Sequence, residues 1–164
     1  MKIGVNSRLY QKGGSGIQRY LKCLYLELQK MDKKNSYLFF QSKTNKTIGK
    51  TYLKKTFPTL IGDVLFDLFL VNSLIKRHKI DIFHAPSTIM PLFKIRGVKY
   101  VVTVMDLSFL VYKNNHSKLF NTYYNYFNKR AVRKADLIIT ISENTKNDLI
   151  KYYGADAKKI RTFY

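Results

Sequence analysis

Strands alternating with helical segments predict an α/β fold for this chain: a Rossmann-like open parallel sheet with helices on both faces. Three observations carry that expectation. First, Asp81-Ile82-Phe83-His84, Tyr100 to Met105 and Leu137 to Ile141 are near-continuous apolar runs, as strands buried on two faces require. Second, segments with helical spacing separate them, such as Ile17, Leu21, Leu24 and Leu28 with charged Arg19, Lys22 and Glu27 between. Third, the chain has 164 residues, 46% of them hydrophobic, enough for one domain that buries roughly 70% of its unfolded surface.

In chain order, Lys2 to Asn6 reads as the first strand, and Lys12-Gly13-Gly14-Ser15-Gly16 is a breaker cluster opening the first helix. Ser36 to Gln41 is a second strand, and the polar, basic stretch from Lys43 to Lys55 reads as a surface excursion. Phe57 to Ile75 is the most apolar stretch and approaches transmembrane length. Asp63 and Asp67 in its middle are costly in hydrocarbon, so a helix packed on the sheet is expected instead. Ser117 to Lys134 is an aromatic-rich helix whose last turn is cationic, which suits the negative end of its dipole. Ser142 is placed to cap a helix that Glu143 favours and Gly154 ends, and Lys159 to Tyr164 reads as a last strand. No closing helix follows, so the sequence reads as truncated.

Thirty Lys and Arg against ten Asp and Glu give a formal net charge of +20. Such an excess points to polyanions, whether nucleic acid, nucleotide phosphates or anionic lipid, unless AT-rich coding bias alone produces it. The segment from Lys33 to Gly62 holds seven Lys and no acid, and Leu107 to Ala135 holds six Lys or Arg and no acid. A single cysteine, Cys23, excludes an internal disulfide framework and fits a reducing compartment. No secretory leader is visible at Met1-Lys2. His78, His84 and His116 lack metal-binding spacing, so no metal is expected, and no Gly-x-Ser-x-Gly elbow is present.

In an open α/β sheet, ligands bind at the carboxyl ends of the strands, near the switch in strand order. Gly13, Gly14, Ser15 and Gly16 fit either an anion cradle at a helix start or a plain turn, with Ser7, Arg8 and Arg19 near enough in sequence to assist. His84, followed by Ala85-Pro86-Ser87, either meets a ligand or satisfies its own surroundings. Asp106 is the only acid between Asp81 and Asp136, and serves as a base, a sugar-hydroxyl acceptor or a loop cap. Ser142 and Glu143 are explained by capping alone.

Four segments in order carry a resemblance: Gly-Gly-Ser-Gly-Ile-Gln-Arg-Tyr (13–20), Phe-His-Ala-Pro-Ser (83–87), Val-Val-Thr-Val-Met-Asp-Leu-Ser-Phe (101–109), and the run from Arg133 to Leu149. Together they resemble the N-terminal domain of family 4 retaining glycosyltransferases of the GT-B fold, over nearly the whole chain. The resemblance implies that residues 1–164 are one acceptor-side domain whose partner is a C-terminal, donor-binding domain absent here. It implies a nucleotide-sugar donor, a glycan or lipid-linked acceptor and no cofactor or metal. The glycine loop would then face the donor's phosphates, while Ser7, Arg8, Arg19, His84, Ser87, Met105, Asp106, Ser142 and Glu143 line the acceptor side. Met105 stands where the family commonly has His in a Thr-x-His-Asp-Leu pattern, and a thioether neither accepts a proton nor hydrogen-bonds strongly. Lys113-Asn114 stands where the family often has Pro-Glu. The lone chain is expected to be inactive and cytoplasmic, held peripherally at an anionic inner membrane surface by its basic windows. Two rival readings are a basic nucleic-acid-binding module, which lacks any recognition-helix pattern here, and a stand-alone flavodoxin-like binder.

Overall fold

The structure, a computed structural model, describes residues 1–8, 16–41, 51–53, 60–111 and 118–163. β-Branched and aromatic runs form seven parallel strands: β1 (Lys2–Asn6), β2 (Ser36–Gln41), β3 (Thr51–Leu53), β4 (Ile82–Ala85), β5 (Lys99–Val104), β6 (Leu137–Thr140) and β7 (Ile160–Thr162). Their order across the sheet is β3-β2-β1-β4-β5-β6-β7. The chain first winds outward from β1 through β2 to β3, then returns to the other side of β1 and winds through β4 to β7. The expected α/β architecture is therefore present. One strand went unread: β3 lies within the stretch assigned to a surface excursion, and it extends the sheet beyond β2.

The helices are α1 (Gly16–Met31), α2 (Leu60–Leu65), α3 (Val71–His78), α4 (Ser108–Val111), α5 (Lys118–Lys134) and α6 (Glu143–Tyr153). α2 and α3 are one continuous helical run joined by a π-helical stretch, Phe66–Leu70, in which the Val71 N–H reaches back to the Phe66 carbonyl. Leu21 and Tyr25 of α1 pack on Val5 and Phe39, covering one face of the sheet. The opposite face forms the larger core, where Phe66, Leu74 and Ile75 meet Phe40, Phe83 and Tyr100, and where Ala131, Val132, Leu149 and Tyr153 bring in α5 and α6. Ser142 caps α6 by accepting from the Thr145 N–H at 3.1 Å, and Gly154 ends it at φ 63°. Both local readings match the structure.

Gly4 fixes the close approach of β1 to its neighbours. A Cβ there would lie 2.9 Å from Phe40 Cε2 and 3.2 Å from two carbons of Ile80. Phe40 is fully buried and Ile80 nearly so, and neither can swing aside. Gly4→Ala is expected to destabilise the domain by about 1–3 kcal/mol, as overpacking does, read as a lowered urea midpoint with an unchanged m-value.

Candidate functional site

Strand order reverses between β1 and β4, so the crevice outside their carboxyl ends is the switch point of the sheet. The end of β1 delivers Asn6, Ser7 and Arg8 there. Ser7 is fully buried and bonded twice to the Phe40 carbonyl, through its N–H at 3.0 Å and its hydroxyl at 3.2 Å. Arg8 turns inward to meet Asp67. Its Nη2 donates to Asp67 Oδ2 at 2.6 Å, and its Nε lies 3.1 and 3.0 Å from the two carboxylate oxygens. Asn6 Nδ2 donates to the same carboxylate at 2.7 Å, while Asn6 Oδ1 accepts from the Arg8 N–H at 3.2 Å. The π-helical turn carries Asp67, so a local widening of the helix brings a carboxylate onto the end of β1. Tyr123 of α5 stands close to this pair: its pKa is raised by burial first and by Asp67 second. Its hydroxyl is buried without a hydrogen-bond partner.

The end of β4 supplies His84, Ser87 and Thr88. His84 points to the α1 side of the sheet, where Nδ1 meets the Tyr25 hydroxyl at 2.5 Å and Nε2 meets Thr103 Oγ1 at 2.8 Å. Thr103 Oγ1 in turn lies 3.1 Å from the Tyr20 hydroxyl, which closes a buried polar chain from α1 through β4 to β5. Burial drives the His84 pKa down to about 4, so the ring is neutral at pH 7. Burial also raises both tyrosines. Thr88 adopts φ 62°, a left-handed backbone that costs a β-branched residue about 1–3 kcal/mol. This strain sits two residues beyond Pro86, at the mouth of the crevice.

Further along the same edge, the Met105 carbonyl accepts from Thr145 Oγ1 at 3.0 Å, tying the end of β5 to the first turn of α6. Asp106 Oδ1 accepts from the Ser108 N–H at 2.9 Å and from the Ser108 hydroxyl at 2.6 Å, so this acid organises the start of α4. Glu143 is exposed, with its pKa lowered by a hydrogen bond from Thr162 and then by Lys146, which it meets at 2.9 Å. Thr140 and Thr162 hydroxyls lie 3.0 Å apart below it. Gly16 opens α1 with nothing within 4 Å of where a Cβ would stand, and Arg19 is exposed on the following turn. Gly13, Gly14 and Ser15 lie outside the described residues.

The structure thus gathers Ser7, Arg8, Ser87, Met105, Asp106, Ser142 and Glu143 along one edge, the carboxyl ends of β1 and β4 to β6. It turns His84 into an interior network with Tyr25 and Thr103. Sequence reasoning missed Asp67 as a partner, Thr88 and Tyr123. Only Asp67 carried a signal, an acid inside an apolar helix. Two ion pairs stand along this edge, Arg8 with Asp67 and Lys146 with Glu143. Among the described residues no three His, Cys, Asp or Glu side chains converge as a metal site.

The sequence model described as Glycosyltransferase Family 4 matches residues 14–164. The chain belongs to glycosyltransferase family 4. The match takes in three of the four segments completely and the first from Gly14 onward. No curated protein matches this family 4 chain. Among solved structures it is similar to a glycosyltransferase from Rickettsia africae, with a TM-score of 0.51 and 14% identity. The likeness covers 98% of this chain and 41% of that one, and at this identity it speaks for the fold. The family 4 chain spans less than half the length of that relative.

Proposed function

We propose that this chain is the N-terminal, acceptor-side lobe of a retaining hexosyltransferase that moves a sugar from a nucleotide-sugar donor to a glycan or lipid-linked acceptor. Family membership over residues 14–164 carries the reading. The switch-point crevice between β1 and β4 supports it, being where an open parallel sheet receives ligands. Gly13, Gly14, Ser15 and Gly16 are assigned to the donor's phosphates on this reading, and the open space at Gly16 leaves room for that approach. Ser87, Ser142 and Asp106 border the acceptor, while Ser7, fully buried on the Phe40 carbonyl, supports the end of β1 instead of lining the acceptor side. Arg8, paired with Asp67, supports the end of β1 rather than meeting a phosphate. A second, C-terminal Rossmann-like lobe holds most of the donor and supplies the charged groups that clamp it; no metal takes part.

The lone chain on this reading has no transfer activity and binds donor weakly. With millimolar nucleotide sugar, amide resonances of residues 6–8, 16–19, 85–88 and 142–145 are expected to shift, while those at the amino ends of the strands stay fixed. Micromolar affinity or turnover by the purified chain would contradict the proposal, as would shifts confined to the opposite edge. The chain works in the cytoplasm, peripherally attached to the anionic inner leaflet, with its +20 charge as the attraction. Among the described residues no helix is long and apolar enough to cross a membrane.

A further inference from the structure

The cleft uses one edge of the sheet and leaves its outer helical layer unexplained. In that layer, residues 86–97 return from β4 to β5 as a strap without a helix of its own, bordered by the 60–78 helical run and α5. The strap is fastened from both sides. On the first, the Leu92 N–H donates to the Leu68 carbonyl at 3.0 Å and Asn72 Nδ2 donates to the Phe93 carbonyl at 2.9 Å. On the second, the Arg130 guanidinium donates to the carbonyls of Pro91, at 2.9 Å, and Leu92. Held this way, the Phe93 side chain stands out of the surface, 69% exposed. Phe69 and Leu65, a turn apart on the helical run, are 46% and 42% exposed, and Tyr126, a turn before Arg130, is 62% exposed. Single exposed apolar side chains are ordinary, but four large ones around one rigid strap form a patch.

The charge around this patch is predominantly cationic. α5 contains no acid and carries Lys129, Arg130, Arg133 and Lys134. Of the acids nearby, Asp67 is engaged with Arg8 and Asp136 with Lys94 at 2.7 Å, which leaves Asp63 of α2 as a single acid against the Lys and Arg of α5. We infer that Leu65, Phe69, Phe93 and Tyr126 form a face that dips into the interface of an anionic lipid bilayer, with Lys129, Arg133 and Lys134 on the headgroup phosphates and Arg130 kept for the strap. Apolar area plus cationic attraction is the combination that holds a surface at such an interface. A second copy of the chain fits less well, because it would press two acid-free α5 helices together. The inference rests on the membrane attachment proposed above and names the face that makes it.

The chain has no tryptophan, so Phe93→Trp introduces a single fluorescent reporter at the centre of the patch. With phosphatidylglycerol-containing vesicles its emission is expected to shift to the blue and to be quenched by brominated acyl chains. Neutral phosphatidylcholine vesicles should leave it unchanged. Leu26→Trp on α1, across the sheet, should respond to neither. Sedimentation with the anionic vesicles should weaken at least about tenfold in Phe93→Ser/Tyr126→Ser, which removes two apolar anchors. Vesicle binding that survives this pair, with an unshifted reporter at position 93, would overturn the face while sparing the charge-driven attachment. An absence of any vesicle binding would overturn both. A concentration-dependent dimer abolished by the serine pair, without vesicle binding, would assign the patch to self-association instead.

Discussion

Asp67→Ala is expected to lower stability by about 3–5 kcal/mol, the range for removing one partner of a buried ion pair. The loss arises because the substitution strands three donors at once: Arg8 Nε, Arg8 Nη2 and Asn6 Nδ2 all point at the Asp67 carboxylate. Arg8 and Asp67 side chains are both almost wholly buried, so water cannot replace the lost acceptor without opening the end of β1. A domain of this size has about 5–15 kcal/mol in total, so the variant should sit near the edge of folding. Arg8→Met/Asp67→Leu is the informative companion. It removes both charges together and should recover part of the loss, because an apolar pair needs no compensation for desolvation, while Asn6 Nδ2 still lacks its acceptor. Urea unfolding of the three proteins gives the comparison. A loss below about 1 kcal/mol for Asp67→Ala would mean that solvent reaches the pair as it does at a surface.

His84 should make the domain acid-sensitive well above the range where carboxylates titrate. Its ring is neutral in the folded state, with the pKa lowered by burial to about 4, against about 6.5 in an unfolded chain. Between those values the unfolded chain binds a proton that the folded chain does not, so acid favours unfolding. The full stability is present above pH 6.5 and is lost as the pH falls toward 4. At ~1.4 kcal/mol per unit the whole interval amounts to about 3 kcal/mol. The groups facing the ring are the Tyr25 and Thr103 hydroxyls, with Tyr20 beyond; none titrates in this window. Asp136, held below its ordinary value by hydrogen bonds and the ion pair with Lys94, contributes only at lower pH. His84→Gln keeps a polar side chain between the two hydroxyls and should flatten the dependence from pH 6.5 to 4. Equal slopes in both proteins would show that the ring gains a proton without unfolding.

Much of the sheet was legible because β1, β2, β4, β5 and β6 are four to six residues long and carry apolar runs. β3 was not. Thr51-Tyr52-Leu53 is three residues long, lies at the sheet edge and is surrounded by lysines, so its only signal is its pairing with β2. The caps of α6 were readable for the opposite reason, since Ser142 and Gly154 act within one helical turn of themselves. Asp67 shows the limit between these cases. Its position within an apolar helix marked it as anomalous, but its partner lies 59 residues earlier, and nothing local connects the two. The π-helical turn that aims it has no recognisable sequence pattern. His84 is a polar residue ending a strand, which in the sequence fits a ligand-facing and an interior role alike. The hydroxyls of Tyr25 and Thr103, one from a helix and one from a neighbouring strand, decide where its nitrogens point.

The fastening of β5 to α6 runs through the main-chain oxygen of Met105 and leaves the thioether out of it. Position 105 is therefore an interchangeable socket: its side chain can be exchanged for an imidazole while the anchor beneath it stays in place.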